Sequence, residues 1–314
     1  MNSATIDRVR IDDIELAFWR RPHADPARPW LLFAHSLASD HTMWTPQLEA
    51  FAPDYALLAC DLRGHGASSA PEGPYALTRL ADDLAALLSA LAIERCHVVG
   101  LSLGGMVGQC LALRHPARLR SLTLADTASH QPPGALALWS ERIATVRAQG
   151  MAPMVEPTLA RWFTPAFFAR APQTVAQIGA VIGRTPVAGY AGCAHAVATI
   201  DLARELPRIA APTLVLTGRE DASTPPPMAE SIARAIPGAR CVLIDAAAHL
   251  SNVEQPDAFN AVLREFLHTI DNPAGSRTSP GRGGGIAPNR WRGRRSISCD
   301  WRGPVLQGDR RGAP

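Results

Sequence analysis

The chain has 314 residues, of which 47% are hydrophobic and 19% charged. That is the balance of a globular protein long enough for one large domain with an insertion. Its formal charge of +3 is unevenly placed: nine arginines against two aspartates from Asn272 onward carry +7, which leaves −4 for residues 1–271. No apolar run approaches the roughly 20 residues of a membrane-spanning helix. The start, Met1-Asn2-Ser3-Ala4-Thr5-Ile6-Asp7-Arg8, lacks the apolar stretch of a secretory signal, so we expect a cytoplasmic protein with no membrane partner. Six cysteines, Cys60, Cys96, Cys110, Cys193, Cys241 and Cys299, are scattered without metal-ligand or redox spacing. They are read as reduced thiols, and no metal site is expected.

In chain order, Ile6–Ile11 and Ile14–Trp19 around Asp12-Asp13 predict a hairpin. Trp30–Ala34 and Tyr55–Cys60 are short apolar runs of the kind buried on both faces of a sheet. Leu77, Leu80, Leu84, Leu87, Leu88 and Leu91 recur at three-to-four spacing, which predicts an amphipathic helix over Leu77–Leu91. Cys96–Gly100 reads as a strand, Leu103–Arg114 as a helix and Leu119–Ala125 as a strand. From His130 to about Thr199 there are helical stretches but no strand-like run. The alternation resumes with strand Thr213–Thr217, helix Met228–Ile236, strand Arg240–Ile244 and helix Pro256–Ile270.

Alternating strands and helices predict an α/β fold with a mostly parallel central sheet covered by helices on both faces. The interruption predicts an inserted α-helical cap over the carboxyl ends of the strands, where such sheets place ligands. The expected organisation is a core of residues 1–128 and 201–271, a helical cap of 129–200, and a disordered Arg/Gly/Pro-rich tail of 272–314. Arg/Gly segments can bind RNA, but the tail follows a complete domain, and nucleic acid is not an expected partner.

Gly100-Leu101-Ser102-Leu103-Gly104 is a G-x-S-x-G string between a strand and a helix. A sharp strand-to-helix turn needs glycine on both sides because the serine sits in strained backbone geometry and its neighbours pack closely. The turn sets the Ser102 hydroxyl at a helix N-terminus, and Ser102 is the expected nucleophile. A serine hydroxyl needs a base. His249, on the loop after Arg240–Ile244, completes the chain order serine, acid, histidine. Asp221 in Gly218-Arg219-Glu220-Asp221-Ala222 is the expected acid, with Glu220 beside it and Asp126 at an earlier strand end as rivals. The oxyanion of acyl transfer needs two N–H donors. They are assigned to Leu103 and to Leu37 in His35-Ser36-Leu37-Ala38, with the Ser36 amide as the alternative. His35 is read as a brace for that loop.

These residues resemble the α/β-hydrolase superfamily, and longer strings are similar to 3-oxoadipate enol-lactonases. They are His35–Trp44, Asp61–Ser68 and Gly100–Gly108 in the core, Arg161–Pro165 and Gly189–Cys193 in the cap, and Ala248–Pro256. The likeness spans about residues 5–270. It implies hydrolysis of 3-oxoadipate enol-lactone to 3-oxoadipate in aromatic-compound catabolism, through an acyl-enzyme and without a cofactor. The substrate's free carboxylate would then need a cation, for which Arg142 and Arg161 are candidates, with Trp139 and Trp162 as pocket walls. Alternatives are a carboxylesterase on small esters, a carbon–carbon bond hydrolase or lyase of the same fold, and a non-catalytic binding protein. Dehalogenase and epoxide-hydrolase chemistry would need a carboxylate where Ser102 stands. The sequence is silent on oligomeric state.

Overall fold

In a computed structural model, which describes residues 6–272, the apolar runs become largely buried strands. The strands are β1 (Asp7–Ile11), β2 (Ile14–Arg21), β3 (Trp30–Ala34), β4 (Ala56–Cys60), β5 (Cys96–Leu101), β6 (Leu119–Ala125), β7 (Thr213–Gly218) and β8 (Arg240–Ile244). Every residue of β4, β5 and β7 is buried, as expected of strands covered on both faces. They form one sheet in the order β1-β2-β4-β3-β5-β6-β7-β8. β1 and β2 are antiparallel, and β2 pairs antiparallel with β4. The remaining pairings are parallel.

The helices are α1 (Thr45–Phe51), α2 (Leu77–Ala90), α3 (Leu103–Arg114), α4 (Ala135–Gln149), α5 (Val155–Trp162), α6 (Pro165–Arg170), α7 (Pro172–Arg184), α8 (Val187–Ala198), α9 (Pro226–Ala235), α10 (Ser251–Glu254) and α11 (Pro256–Asp271). Neighbouring residues of β5 show how both faces are covered. A Cβ on Gly108 of α3 would touch the Val98 side chain. The adjacent His97 points the other way, where its Nε2 lies 3.1 Å from Asp271 Oδ1 at the end of α11. α3 and α11 therefore sandwich the sheet.

Helices α4 to α8 fill the chain between β6 and β7. The predicted strand and helix boundaries match within two residues, while the short helices α1 and α10 were not anticipated. Among the described residues no helix is long and apolar enough to cross a membrane. The tail expected to be disordered lies, beyond Asn272, outside the described residues.

Candidate active site

The sheet order sets β5, β6, β7 and β8 side by side, so the residues that follow them emerge along one edge. Ser102 follows β5, Asp126 follows β6, Asp221 follows β7 and His249 follows β8. Ser102 has φ 55° and ψ −114°, a left-handed conformation that costs a residue with a side chain about 1–3 kcal/mol. The surroundings hold it there. Ser102 N donates to Ala125 O at 2.9 Å, and its carbonyl accepts from Met106 N at 3.0 Å and Thr127 Oγ1 at 2.7 Å. A Cβ on Gly100 would sit 2.2 Å from Gly104 O, and one on Gly104 would sit 2.1 Å from Ala34 O. The two glycines are thus required by backbone approach, the reason the motif was read as a turn.

His249 and Asp221 are 2% and 3% exposed. The imidazole Nδ1 lies 2.9 Å from Asp221 Oδ2. Asp221 Oδ1 accepts from Ser223 N at 2.7 Å and Thr224 N at 3.0 Å, and Oδ2 accepts from Thr224 Oγ1 at 2.6 Å. Burial works against the imidazolium, but the Asp221 charge and hydrogen bond outweigh it and raise the His249 pKa. Burial also opposes ionisation of Asp221, but His249 and the Thr224 donors leave its carboxyl below the ordinary value. A carboxylate that orients an imidazole and favours its protonated form is the arrangement that lets the ring accept a hydroxyl proton.

The rivals fare differently. Glu220 is exposed. Asp126 is fully buried: Oδ1 accepts from Gly218 N at 2.7 Å, and Oδ2 lies 2.5 Å from Ser251 Oγ. Burial, and then the Asp221 charge, push its pKa up to about 8. Its surroundings favour the protonated form, and its two oxygens are met by Gly218 and Ser251 and not by His249.

The loop after β3 is braced from behind. His35 Nδ1 donates to Ser36 O at 2.7 Å, and its Nε2 accepts from Leu62 N at 2.9 Å. His65 Nε2 accepts from Ala38 N at 3.0 Å. Gly104 N donates to His35 O at 3.0 Å, joining this loop to the turn at Ser102. The Ser36 amide is directed at Met43 Sδ, 3.4 Å away, which disfavours it as an oxyanion donor. Among the described residues no protein acceptor meets the amides of Leu37 or Leu103.

Ser102, His249, Leu37, Trp139, Arg142, Arg161 and Trp162 all line one cavity of about 230 Å³. Trp162 stands over the imidazole with ring centroids 6.1 Å apart. The Arg142 guanidinium lies 4.8 Å from the Trp139 ring centroid. Among the described residues no carboxylate lies within ion-pair reach of Arg142 or Arg161. Burial, and then the Arg142 charge, lower the Arg161 pKa.

Sequence reasoning missed Tyr190 in the cavity wall and Thr224 behind the imidazole. Thr224 carried a readable signal, since a short hydroxyl residue three positions after an acid can cap it. Tyr190 carried none, because which face of α8 turns inward depends on packing.

The sequence pattern of the alpha/beta hydrolase fold matches residues 29–256, and the chain belongs to that family. It is a hydrolase by its relatives. It is 36% identical over 264 residues to 3-oxoadipate enol-lactonase 2 of Acinetobacter baylyi, covering 83% of this chain and 97% of that protein. It is 30% identical over 247 residues to a Stutzerimonas stutzeri protein provisionally named carbamate hydrolase RutD, covering 77% and 93%. Among solved structures, a hydrolase from Pseudomonas aeruginosa superposes with TM-score 0.80 at 41% identity, covering 85% of this chain and 99% of that one. The enol-lactonase from Burkholderia xenovorans superposes with TM-score 0.80 at 36% identity, covering 83% and 99%.

Proposed function

We propose that this hydrolase opens 3-oxoadipate enol-lactone to 3-oxoadipate through an acyl-enzyme on Ser102. His249 takes the Ser102 proton as Oγ attacks the lactone carbonyl, and Asp221 holds the resulting imidazolium. The amides of Leu37 and Leu103 receive the oxyanion. The ring C–O bond then breaks. Its leaving group is an enolate, a weaker base than an alkoxide, so it departs readily; it then takes the proton held by His249 and becomes the ketone, which returns the imidazole to its neutral form. Water, deprotonated by His249, attacks the acyl-enzyme and releases the second carboxylate and Ser102. The helices between β6 and β7 act as a cap.

The observation that carries the substrate class is the pair Arg142 and Arg161. Two guanidinium groups in the wall of a reactive cavity, without a carboxylate of their own, favour an anionic substrate. The similarity to enol-lactonases supports this particular lactone as the substrate.

The test is loss of enol-lactone ultraviolet absorbance, with Ser102→Ala and the spontaneous rate as controls. The expected result is rapid loss that falls to background in the variant. No loss above background, with 4-nitrophenyl acetate still cleaved, sinks the lactone and leaves a small-ester carboxylesterase. For the cations, Arg161→Gln is expected to raise KM for the lactone about 10- to 100-fold, the size of one charge-assisted hydrogen bond, with kcat little changed. The same variant should treat an uncharged acetate ester like wild type, and an equal loss on both esters rejects the anion site.

A further inference from the structure

The loop that carries His249 is tied to the helical insertion at both of its flanking residues. On one side, Leu250 N donates to Trp162 O at 3.2 Å. On the other, Ala248 N donates to Glu254 Oε2 at 3.0 Å. The same carboxylate receives Thr164 N, 3.2 Å from Oε1 and 3.4 Å from Oε2, and Thr164 Oγ1 donates to Oε1 as well. Thr164 is in turn committed, because its Oγ1 accepts from Phe167 N at 3.2 Å to cap α6. Glu254 is 1% exposed, and burying a carboxylate is costly unless donors fill its lone pairs. Among the described residues its donors come from two places: the α5–α6 corner of the insertion and the residue before His249.

We propose that Glu254 is a positioning residue that locks the His249 loop to the Trp162–Thr164 corner of the insertion. The proposal rests on the reading of His249 as the base of Ser102. The clamp holds the two elements that bracket the imidazole. One is the loop that bears it, and the other is the corner whose Trp162 ring lies over it. An imidazole held only by Asp221 can swing about that single bond, and a misplacement of about 1 Å costs on the order of 100-fold in rate. Because Arg161 and Trp162 also line the cavity, a ligand pressing on that wall bears on the base through the same bonds.

The experiment compares wild type, Glu254→Gln, Thr164→Val, Thr164→Ser and His249→Ala. Two readouts report on the base itself: the second-order rate of Ser102 labelling by a fluorophosphonate, and the downfield proton resonance of the His249–Asp221 hydrogen bond. The expected result is labelling about 10-fold slower or more in Glu254→Gln and Thr164→Val. Their downfield resonance should shift or broaden. Thr164→Ser, which keeps the hydroxyl, should restore both readouts. Wild-type labelling and an unmoved resonance in Glu254→Gln and Thr164→Val overturn the proposal, whatever their melting temperatures, because Glu254 is then only structural. If Glu254→Gln does not fold, the valine and serine pair at Thr164 decides alone. A distinct failure, labelling of His249→Ala at the wild-type rate, refutes the base assignment on which the clamp depends.

Discussion

Two aspartates end neighbouring strands beside one histidine, and burial with hydrogen bonding gives them opposite protonation states. Asp221 receives three hydrogen bonds from the Ser223–Thr224 turn and one from the imidazole, so it stays ionised. At Asp126 burial and the Asp221 charge outweigh the His249 charge and the Ser251 and Gly218 hydrogen bonds, and they raise its pKa to about 8. Replacing each by asparagine separates their roles. Asp221→Asn should cut turnover roughly 10³- to 10⁴-fold. Since Asp221 raises the His249 pKa and the base must be neutral to act, the acid limb of the pH–rate profile should move to lower pH. Asp126→Asn replaces one neutral group by another and should leave the rate at pH 7 near wild type. Its effect lies in stability. A carboxyl whose folded pKa is about 8 against 3.8 unfolded contributes stability below pH 3.8 that is lost as pH rises through 8. Urea midpoints at pH 5 and pH 9 should therefore differ less in Asp126→Asn than in wild type. A large rate loss in that variant would make Asp126 the working acid instead.

At the scale of elements, the loop between β3 and α1 depends on two buried neutral imidazoles. His65 is pushed down to about 3, first by burial and then by the His35 charge, and burial lowers His35 as well. Each ring accepts a backbone N–H, at Ala38 or Leu62, a role that protonation abolishes. The sign follows from linkage. Above pH 6.5 both states are neutral and nothing changes. Below it the unfolded chain binds protons that the folded one refuses, so stability falls from pH 6.5 towards 3. His65→Gln, whose side-chain oxygen can still accept from Ala38 N, should lose less stability between pH 7.5 and pH 4.5 than wild type does, as read from urea midpoints. An equal loss would mean that His65 titrates normally in the folded protein. Contacts to Ser36 O and Leu62 N join the His35 ring to both the β3 loop and the residue after Asp61, as a brace would.

For the whole molecule, the question is what seats the insertion on the core. Arg184 and Asp40 form an ion pair at 2.7 Å, but the arginine side chain is 61% exposed, and such pairs contribute about 0–1 kcal/mol. The closer contact is backbone on backbone, where a Cβ on Gly189 of α8 would lie 1.9 Å from Gly64 O. Gly189→Ala must push α8 away from the 61–68 loop. We expect a loss of about 1–3 kcal/mol, the usual cost of overpacking, measurable in urea unfolding. Because Tyr190 follows directly and lines the cavity, KM for the substrate should rise while fluorophosphonate labelling of Ser102 persists. Arg184→Ala should do neither. A neutral Gly189→Ala would place the seating elsewhere.

The elements that bear the site were legible because their signals are local. Apolar runs marked the buried strands, leucine spacing marked α2, and glycines flanking Ser102 marked a turn that only close backbone approach explains. The chain order serine, acid, histidine, each on a loop after a strand-like run, made Ser102, Asp221 and His249 readable as candidates. What tertiary structure decided were matters of partner and face. Glu254 meets Thr164 across 90 residues of sequence, and no local pattern encodes that pairing. Asp126 and Asp221 are both aspartates at strand ends, and only their burial and hydrogen-bond donors tell them apart. The inward face of α8, the free reach of Arg142 and Arg161, and the turn of the Ser36 amide towards Met43 belong to the same class. Local sequence dictates which backbone forms, whereas charge state and contact are set by neighbours that only folding brings together.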